Sequence, residues 1–293
     1  MKILVTGKNG QLGQSINKIV DEKKIAQLSN FDFVFVGREE LNLEYIENFK
    51  SYFDINEFDI IINCAAYTEV DRAEEDQRQA NLINHIAVKE LAKIAKSSNI
   101  KFIHISTDFV FNGRKETPYI EDDVTMPLNI YGETKLAGEL ALMSIMKSNS
   151  LIIRAGWVYS EFGNNFVQTI LNLAKKNDML DIVSDQVGTP TYAYDLAFSI
   201  LCIVVSDKFL ENAKLSEIFH YANHGESSWL EFAKEIIRIS GINCQLIPIR
   251  AEDYPSAAKR PNYSILSNKK ILHEYDLKVR HWKDALKDCL KNL

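Results

Sequence analysis

Tyr131 and Lys135 are the residues of this chain best suited to move a proton. At a spacing of four residues, a phenol and an ammonium lie on one face of a helix. A phenol near its ordinary pKa of about 10 is a poor proton donor, and a neighbouring cation lowers that pKa by favouring the phenolate. Thr107 follows an apolar run and offers a hydroxyl. We predict that Thr107 holds a substrate oxygen while Tyr131 protonates it.

A glycine-rich segment near the start of the chain predicts the other half of this chemistry. The apolar run Lys2–Thr6 leads directly into Gly7–Gly13, which reads GKNGQLG. This order is typical of a strand that feeds a tight turn and then a helix whose N-terminus binds a pyrophosphate. Together with the Tyr131–Lys135 pair, it predicts a bound nicotinamide cofactor and a proton that moves with the hydride.

The residues after the second strand bear on which cofactor binds. An acidic residue at this position usually bonds the ribose of NAD, whereas an arginine accommodates the 2′-phosphate of NADP. Arg38 and Glu39 occupy this position. Arg38 either pairs with a 2′-phosphate or is a solvated loop arginine, and Glu39 can still serve the ribose. We predict NADPH, with NADH as the alternative.

The elements that position these residues alternate in type along the first half. Buried-strand patterns occupy Lys2–Thr6, Phe33–Val36, Asp59–Cys64, Lys101–Ser106 and Leu151–Arg154, and one long amphipathic helix is predicted for 73–98. Helices are also predicted near 165–177, 194–206, 228–239 and 281–290. The fold class is therefore α/β, a Rossmann-type doubly wound parallel sheet with a smaller C-terminal substrate lobe. We predict a cofactor domain over 1–156, with segments returning at about 193–215, and a substrate lobe mainly over 157–293.

The bulk composition excludes several classes of function. The 293 residues are 46% hydrophobic, which is ordinary for a globular protein, and the formal net charge is −6. An acidic chain is poorly suited to nucleic acid or an anionic membrane. The four cysteines form no CxxC pair, and no signal-peptide pattern or apolar stretch near twenty residues occurs. These features predict a soluble cytoplasmic protein.

The motifs identify a family. The chain resembles the extended short-chain dehydrogenase/reductase superfamily and, more narrowly, the dTDP-4-dehydrorhamnose reductase family. The resemblance extends over nearly the whole chain. It rests on GKNGQLG at 7–13, NCAAY at 63–67, VDRAE at 70–74, STDFVFNG at 106–113, PLNIYGETKLAGE at 127–139, RAGWVY at 154–159, GNNF at 163–166, DQVGTPT at 185–191 and RPNYS at 260–264.

The resemblance implies reduction of the 4-keto group of a dTDP-4-dehydro-6-deoxy-L-hexose, giving dTDP-L-rhamnose for cell-surface polysaccharide. Thr107, Tyr131 and Lys135 would be catalytic. Substrate would contact Thr107, Asp108, Trp157, Asn165 and Arg260, with the Trp157 indole against a base or sugar face and Arg260 at the diphosphate. The expected cofactor-binding residues are Gly7, Asn9, Gly10, Gln11, Leu12, Gly13, Arg38, Asn42, Leu43, Cys64, Ala65, Ala66, Tyr67, Tyr131 and Lys135.

The chain departs from the family pattern in two respects. Tyr67 stands where the family usually has a histidine, so contacts around the nicotinamide or substrate can differ. Some members dimerise through a metal held by acidic residues, but the corresponding positions in this chain are Ser15 and Tyr194. Since a divalent ion of this kind needs carboxylates, we predict no such metal and a monomer or weak homodimer.

Three other functions share parts of this pattern. A sugar-nucleotide 4,6-dehydratase needs an acid or base after the Thr-Asp step, and Phe109 cannot transfer protons. A 4-epimerase lacks the Thr-Asp step at this strand end. A non-catalytic regulatory subunit like that of methionine adenosyltransferase keeps the Tyr/Lys pair, so this alternative stays open.

Overall fold

The structure is a computed structural model and describes residues 1–211 and 216–293. The last four residues of the predicted returning segment 193–215 therefore lie outside the described residues. None of the described helices combines the length and the apolar character needed to cross a membrane.

The strands of the described residues are numbered in chain order. They are β1 (Lys2–Thr6), β2 (Asp32–Val36), β3 (Ile60–Asn63), β4 (Lys101–Thr107), β5 (Ser150–Ala155), β6 (Val158–Tyr159), β7 (Met179–Val183), β8 (Val187–Gly188), β9 (Thr191–Tyr192), β10 (Glu217–Tyr221), β11 (Ser227–Ser228) and β12 (Gln245–Ile249).

The α-helices of the described residues follow in the same order. They are α1 (Gln11–Asp21), α2 (Phe49–Ile55), α3 (Gln77–Asn81), α4 (Ala87–Ser97), α5 (Ile130–Ile145), α6 (Phe166–Ala174), α7 (Ala193–Val204), α8 (Asp207–Leu210), α9 (Trp229–Ser240), α10 (Lys269–Tyr275) and α11 (Trp282–Lys291).

One parallel sheet organises the first half. Its order is β10-β5-β4-β3-β1-β2, and every neighbouring pair is parallel. The order reverses between β1 and β3, and in such sheets ligands bind beyond the carboxyl ends of the strands at this point. The predicted doubly wound parallel fold is confirmed, and the predicted strand bounds agree with the structure to within one residue.

Helices cover the sheet on both faces, and for this reason the strands are continuously apolar rather than alternating. Ile3 and Val5 face one core, which they share with Ile200 of α7. Leu4 faces the other core, which it shares with Leu91 of α4. All five side chains are fully buried. The two cores hold the carboxyl ends of β1, β3 and β4 in fixed positions along one edge.

A third core lies in the second half of the chain. Ile170 of α6, Phe232 of α9 and Leu286 of α11 pack together there, and β7 and β12 form a separate two-stranded parallel pair. The chain also returns to the large sheet, because α7 packs on α1 and β10 pairs with β5. We keep the division into a cofactor domain and a substrate lobe as a proposal, with β10 added to the returning part.

The helix predicted for 73–98 begins at Gln77 rather than at 73, and it contains one π-helical turn. The structure has a 3₁₀ turn (Arg72–Glu74), then α3, a π-helical turn (Leu82–Ile86) and α4. The π turn contains Asn84, whose amide accepts from the Tyr67 N–H at 2.9 Å and donates to the Tyr67 carbonyl at 3.1 Å. A tertiary contact of this kind accompanies the local change of helix type, and π turns are frequent near functional sites.

Candidate active site

The glycine turn after β1 is packed too tightly for side chains. Gly7 has φ of +73°, and a Cβ added there would lie 2.9 Å from the Ala65 nitrogen. A Cβ on Gly13 would lie 2.3 Å from the Gly7 carbonyl oxygen. The Gly10 N–H donates to that same oxygen at 2.9 Å. The turn therefore depends on glycine for both its dihedral angle and its close approaches.

Helix α1 begins at this turn without a side-chain cap. Gly10 is the N-cap residue, and no side chain accepts a hydrogen bond from the first turn. Asn9, Gln11 and Leu12 line the adjacent cleft. Uncapped N–H groups at the positive end of a helix dipole favour an anion, and the glycine turn leaves the space for one, so the residues fit the pyrophosphate of a dinucleotide.

The end of β2 carries charges of both signs. Arg38 and Glu39 are exposed and line the cleft. The next residue, Glu40, accepts from the Gly37 N–H at 2.8 Å and pairs with Lys8 of the glycine turn, and Lys8 lowers the pKa of this carboxyl. The Glu40 carboxylate thus already has partners within the protein, whereas Arg38 has no ion-pair partner among the described residues.

Of the four residues after β3 that were expected to bind the cofactor, the structure places three at the cleft. Cys64, Ala65 and Ala66 line the cleft, as do Asn42 and Leu43 after β2. The Tyr67 side chain is not part of the lining.

Two contacts hold Tyr67 away from the cleft. Its phenol donates to Asp76 at 3.4 Å. Its backbone is held by Asn84 through the two hydrogen bonds described above. The structure therefore brings the small residues of this strand end to the cleft and leaves the tyrosine outside it.

Thr107, Tyr131 and Lys135 converge at the carboxyl edge of the sheet. Thr107 ends β4 and is buried, while Tyr131 and Lys135 lie one turn apart near the start of α5. All three line the cleft. Burial raises the pKa of Tyr131 to about 12, although the Thr107 hydroxyl opposes the shift. At neutral pH the phenol is therefore protonated and available as a donor.

The environment of Lys135 differs from the prediction. Its side chain is only 2% exposed, and Nζ donates to the Ile105 carbonyl at 2.6 Å. Burial lowers the pKa of Lys135 to about 8, and Glu139 opposes the shift. We expected Lys135 to depress the pKa of Tyr131, but desolvation of the phenol outweighs every other effect there.

The start of α5 is fixed from three directions. Asn129 is the N-cap, and its Oδ1 accepts from the Gly132 N–H at 2.8 Å. Its Nδ2 donates to the Lys259 carbonyl at 2.8 Å. Glu74 accepts from the Ile130 N–H at 2.9 Å. These contacts orient the first turn, which carries Tyr131, relative to both halves of the chain.

Asp108 is buried directly beside Thr107. The Thr107 hydroxyl donates to its Oδ1 at 3.1 Å. Burial raises the pKa of Asp108 to about 6. A Cβ on Gly156 would lie 2.5 Å from the Asp108 carboxyl carbon, so the glycine after β5 makes room for this side chain.

Trp157 is held against the protein on one face of its ring. It has φ of +52°, which is unusual for a residue other than glycine, and its indole stacks on Trp229 with centroids 3.4 Å apart and an interplanar angle of 2°. A Cβ on Gly188 would lie 2.5 Å from Cε2 of the same indole. Trp229 and Gly188 therefore occupy much of the indole surface, and contact between Trp157 and substrate stays a prediction.

Asn165 and Arg260 also line the cleft but have partners within the protein. Asn165 is the N-cap of α6, and its amide donates to the carbonyls of Ser160 and Phe162 at 2.8 and 3.2 Å. Arg260 pairs with Asp71 in the loop after β3, at 2.5 Å between Nη2 and Oδ2. Local capping thus occupies Asn165, whereas Arg260 joins the two halves.

The cleft has a volume of about 1630 Å³. This exceeds the range of about 300–1,000 Å³ that is usual for a single small ligand. It extends from the glycine turn past Tyr131 to residues 250–262 of the second half. A dinucleotide and a second ligand of nucleotide size can therefore be accommodated together.

Sequence reasoning assigned no role to Asp71, Asn129, Glu74 or Trp229. Asp71 and Glu74 belong to the quoted VDRAE motif, and Asn129 precedes a helix at a typical capping position, so signals existed for these three. Nothing in the sequence pairs Trp229 with Trp157.

The two positions singled out for the metal have other contacts. The Ser15 hydroxyl donates to the Gln11 carbonyl at 2.8 Å, and the Tyr194 phenol donates to Glu22 at 3.4 Å. Across residues 1–211 and 216–293, no group of three histidine, cysteine or acidic residues could hold a metal ion. Absence of a shared metal stays a prediction.

Known proteins match the chain over its full length. A dTDP-4-dehydrorhamnose reductase from Sinorhizobium fredii is 36% identical over 289 residues, covering 97% of this chain and 95% of the relative. The crystal structure of a dTDP-4-dehydrorhamnose reductase from Clostridium acetobutylicum is 38% identical, covers 100% of this chain and 99% of that one, and has a TM-score of 0.91.

The dTDP-4-dehydrorhamnose reductase from Bacillus anthracis, solved in complex with NADP, is 32% identical with a TM-score of 0.90, covering 100% of this chain and 99% of that one. The family model described as the RmlD substrate binding domain matches residues 1–293. With the fold, the glycine turn and the Thr107–Tyr131–Lys135 arrangement in place, this full-length match shows that the chain belongs to the RmlD substrate-binding-domain family.

Proposed function

We propose that this chain reduces the 4-keto group of dTDP-4-dehydro-L-rhamnose to give dTDP-L-rhamnose, with NADPH as the hydride donor. The observation that carries the proposal is the convergence of Thr107, Tyr131 and Lys135 on one large cleft at the sheet edge. The NADP complex of the Bacillus anthracis relative supports the cofactor, and the names of the relatives support the substrate.

The glycine turn and the N-terminus of α1 hold the cofactor pyrophosphate. Gly7, Gly10 and Gly13 provide the close approach, and the backbone of Asn9, Gln11 and Leu12 follows the phosphates. Arg38 pairs with the 2′-phosphate at the open end of the cleft. Asn42 and Leu43 contact the adenine, Cys64–Ala66 lie against the nicotinamide half, and Tyr67 acts only through its backbone.

When bound, the reduced nicotinamide would supply a hydride to C4 of the sugar. Residues of this chain position the carbonyl, supply the proton and stabilise the charge that remains. Thr107 Oγ1, whose one proton is donated to Asp108 in the ligand-free chain, turns that proton to the C4 oxygen and so fixes the carbonyl beside Tyr131. Tyr131 gives its proton to that oxygen as the C4–H bond forms. Lys135 carries the positive charge that stabilises the resulting phenolate and bonds the nicotinamide ribose. Electrons and protons balance, since one hydride and one proton reduce one carbonyl.

The second half of the chain binds the nucleotide sugar. Trp157 presents the ring edge that Trp229 and Gly188 leave uncovered, Asp108 bonds a sugar hydroxyl, and Arg260 binds the diphosphate. Asn165 contributes by shaping the start of α6. We also propose a monomer or weak homodimer that acts in the cytoplasm, for which free cysteines are suited.

The test is oxidation of NADPH, followed by absorbance, with enzymatically prepared dTDP-4-dehydro-L-rhamnose. Wild type should turn over, and Tyr131→Phe should bind NADPH with unchanged affinity but lose most turnover. Tight NADPH binding without turnover by wild type would instead favour a non-catalytic regulatory subunit. Equal turnover by both proteins would exclude Tyr131 as the proton donor.

A further inference from the structure

Asp71 holds a segment of the second half against the loop that follows β3. Its Oδ1 accepts hydrogen bonds from the Ser256 hydroxyl and from the Ala258 N–H, each at 3.0 Å. These contacts join residues about 185 positions apart in the sequence. The segment 256–261 is therefore fixed to the cofactor-binding half rather than only to its own lobe.

The same carboxylate binds the end of the Arg260 guanidinium. Nη1 donates to Oδ1 at 3.1 Å and Nη2 to Oδ2 at 2.5 Å. Nη1 also donates to the Ala258 carbonyl at 3.2 Å and to the Ser256 hydroxyl. Within the part of the chain that the structure describes, Nε and the second hydrogen of Nη2 have no acceptor. Asp71 thus leaves free the edge of the guanidinium that binds oxyanions with two parallel hydrogen bonds.

Segment 256–261 is also bonded to the catalytic helix. The Asn129 side chain, which caps α5, donates to the Lys259 carbonyl at 2.8 Å. A Cβ on Gly113 would lie 2.6 Å from Cβ of Pro261, so this loop packs closely on the same segment. The position of Arg260 is therefore set relative to Tyr131 through a few direct contacts.

Arg260 is the best-fixed cation on the second-half side of the cleft. The described residues that line the cleft include five cations, namely Arg38, Lys135, Arg250, Lys259 and Arg260. Lys259 is exposed, and Arg250 is 70% exposed and pairs with Glu252, whereas the Arg260 side chain is 26% exposed. Lys135 is bonded to Ile105 and belongs to the reaction. An anionic group of the second ligand would thus meet Arg260 as a preorganised partner.

We propose that Asp71 is a positioning residue that fixes Arg260 for the diphosphate of the nucleotide sugar. The inference rests on the proposed function for the identity of that diphosphate. Arg260 holds the pKa of Asp71 down to about 2, so the carboxylate stays charged throughout the working pH range. A fixed guanidinium loses less conformational entropy on binding than a free one, and this is how Asp71 increases affinity without touching the ligand.

The experiment is calorimetric titration of wild type and Asp71→Asn with dTDP and with thymidine. The asparagine keeps an acceptor for the Ala258 N–H and removes the charge. We expect dTDP to bind about tenfold more weakly to the variant, as for loss of one charge-assisted hydrogen bond, and thymidine to bind equally to both. The KM for the keto-sugar should rise by a similar factor, while kcat and NADPH affinity stay unchanged.

Three further proteins make the result specific. Arg260→Gln should lose dTDP affinity to at least the same extent, and the double variant should lose no more than Arg260→Gln alone, because both changes remove one interaction. Asp54→Asn, which breaks the exposed Lys50–Asp54 pair, is the matched control and should bind dTDP as wild type does.

Tighter binding of dTDP by Asp71→Asn would show that Asp71 competes with the diphosphate, and unchanged affinity would show that Asp71 has no role. Either result would overturn the proposal. A parallel loss of thymidine binding would indicate a general structural defect and would also overturn the proposal. If wild type binds dTDP but does not reduce the keto-sugar, the proposed function fails while the result for Asp71 stands.

Discussion

Lys135→Met should stabilise the ligand-free protein at neutral pH while abolishing turnover. Lys135 is 2% exposed, and burial lowers its pKa from 10.5 to about 8. At about 1.4 kcal/mol per pKa unit, keeping the ammonium charged at pH 7 costs the folded state about 3 kcal/mol. Methionine removes that cost but leaves the Ile105 carbonyl without its 2.6 Å donor, a loss of about 1–2 kcal/mol. The variant should therefore be more stable by about 1–2 kcal/mol.

The pH dependence identifies the cause. Because the pKa of Lys135 is lower in the folded than in the unfolded chain, the unfolded chain binds more protons between pH 8 and 10.5, and this residue makes wild-type stability rise with pH there. By pH 9.5 the cost of the charge falls to about 1.4 kcal/mol. The advantage of the methionine variant should therefore shrink by about 2 kcal/mol between pH 7 and pH 9.5.

Urea denaturation of both proteins without ligand at the two pH values measures this difference. Contributions from titrating groups that do not interact with Lys135 cancel, because both proteins contain them. Lys50→Met is the control, since Lys50 is 82% exposed, and its stability difference from wild type should not change with pH. A Lys135→Met protein that is less stable at pH 7, or a difference independent of pH, would refute the reasoning.

The remaining predictions concern the proton donor, the cofactor site and the stack of Trp157 on Trp229. Tyr131→Phe should lower kcat by about 10²- to 10⁴-fold and leave the Kd for NADPH unchanged; a normal kcat would exclude proton donation by this residue. Arg38→Ala should weaken NADPH about tenfold more than NADH in direct binding, whereas equal losses would make it a solvated loop residue. Gly13→Ala, whose Cβ would lie 2.3 Å from the Gly7 oxygen, should weaken NADPH much more than Gly10→Ala, where the distance is 3.2 Å; equal effects would contradict the packing argument. Trp229→Leu should remove the near-ultraviolet circular dichroism of the stacked indoles and raise the KM for the keto-sugar but not for NADPH, and an unchanged KM would separate the stack from substrate binding.

The large sheet could be predicted because its strands carry their own signal. Runs such as Ile60–Ile62 are buried on both faces, and β-branched residues without alternation are typical of that environment. The glycine turn could be predicted equally well, because the spacing of its three glycines follows from local backbone geometry. The fold class and the family could therefore be predicted from the sequence alone.

Contacts between distant residues were not predictable. Asp71 and Arg260 are 189 positions apart, and only the folded chain shows that they pair. The π turn at Asn84 accompanies hydrogen bonds to Tyr67 that no helical periodicity reports. The pKa values were not predictable either. The spacing of Tyr131 and Lys135 suggests that the ammonium lowers the pKa of the phenol, but in the structure burial has the largest effect on the pKa of each group.

The most direct test of the central claim is transfer of deuterium from NADPH labelled at both C4 positions of the nicotinamide to dTDP-4-dehydro-L-rhamnose. Every turnover should place deuterium at C4 of the sugar. The proton NMR spectrum of the product should therefore be that of dTDP-L-rhamnose without the H4 signal. Product that carries no deuterium at C4, or a sugar recovered unreduced while NADPH stays bound, would contradict the assignment of this cleft as a keto-sugar reductase site.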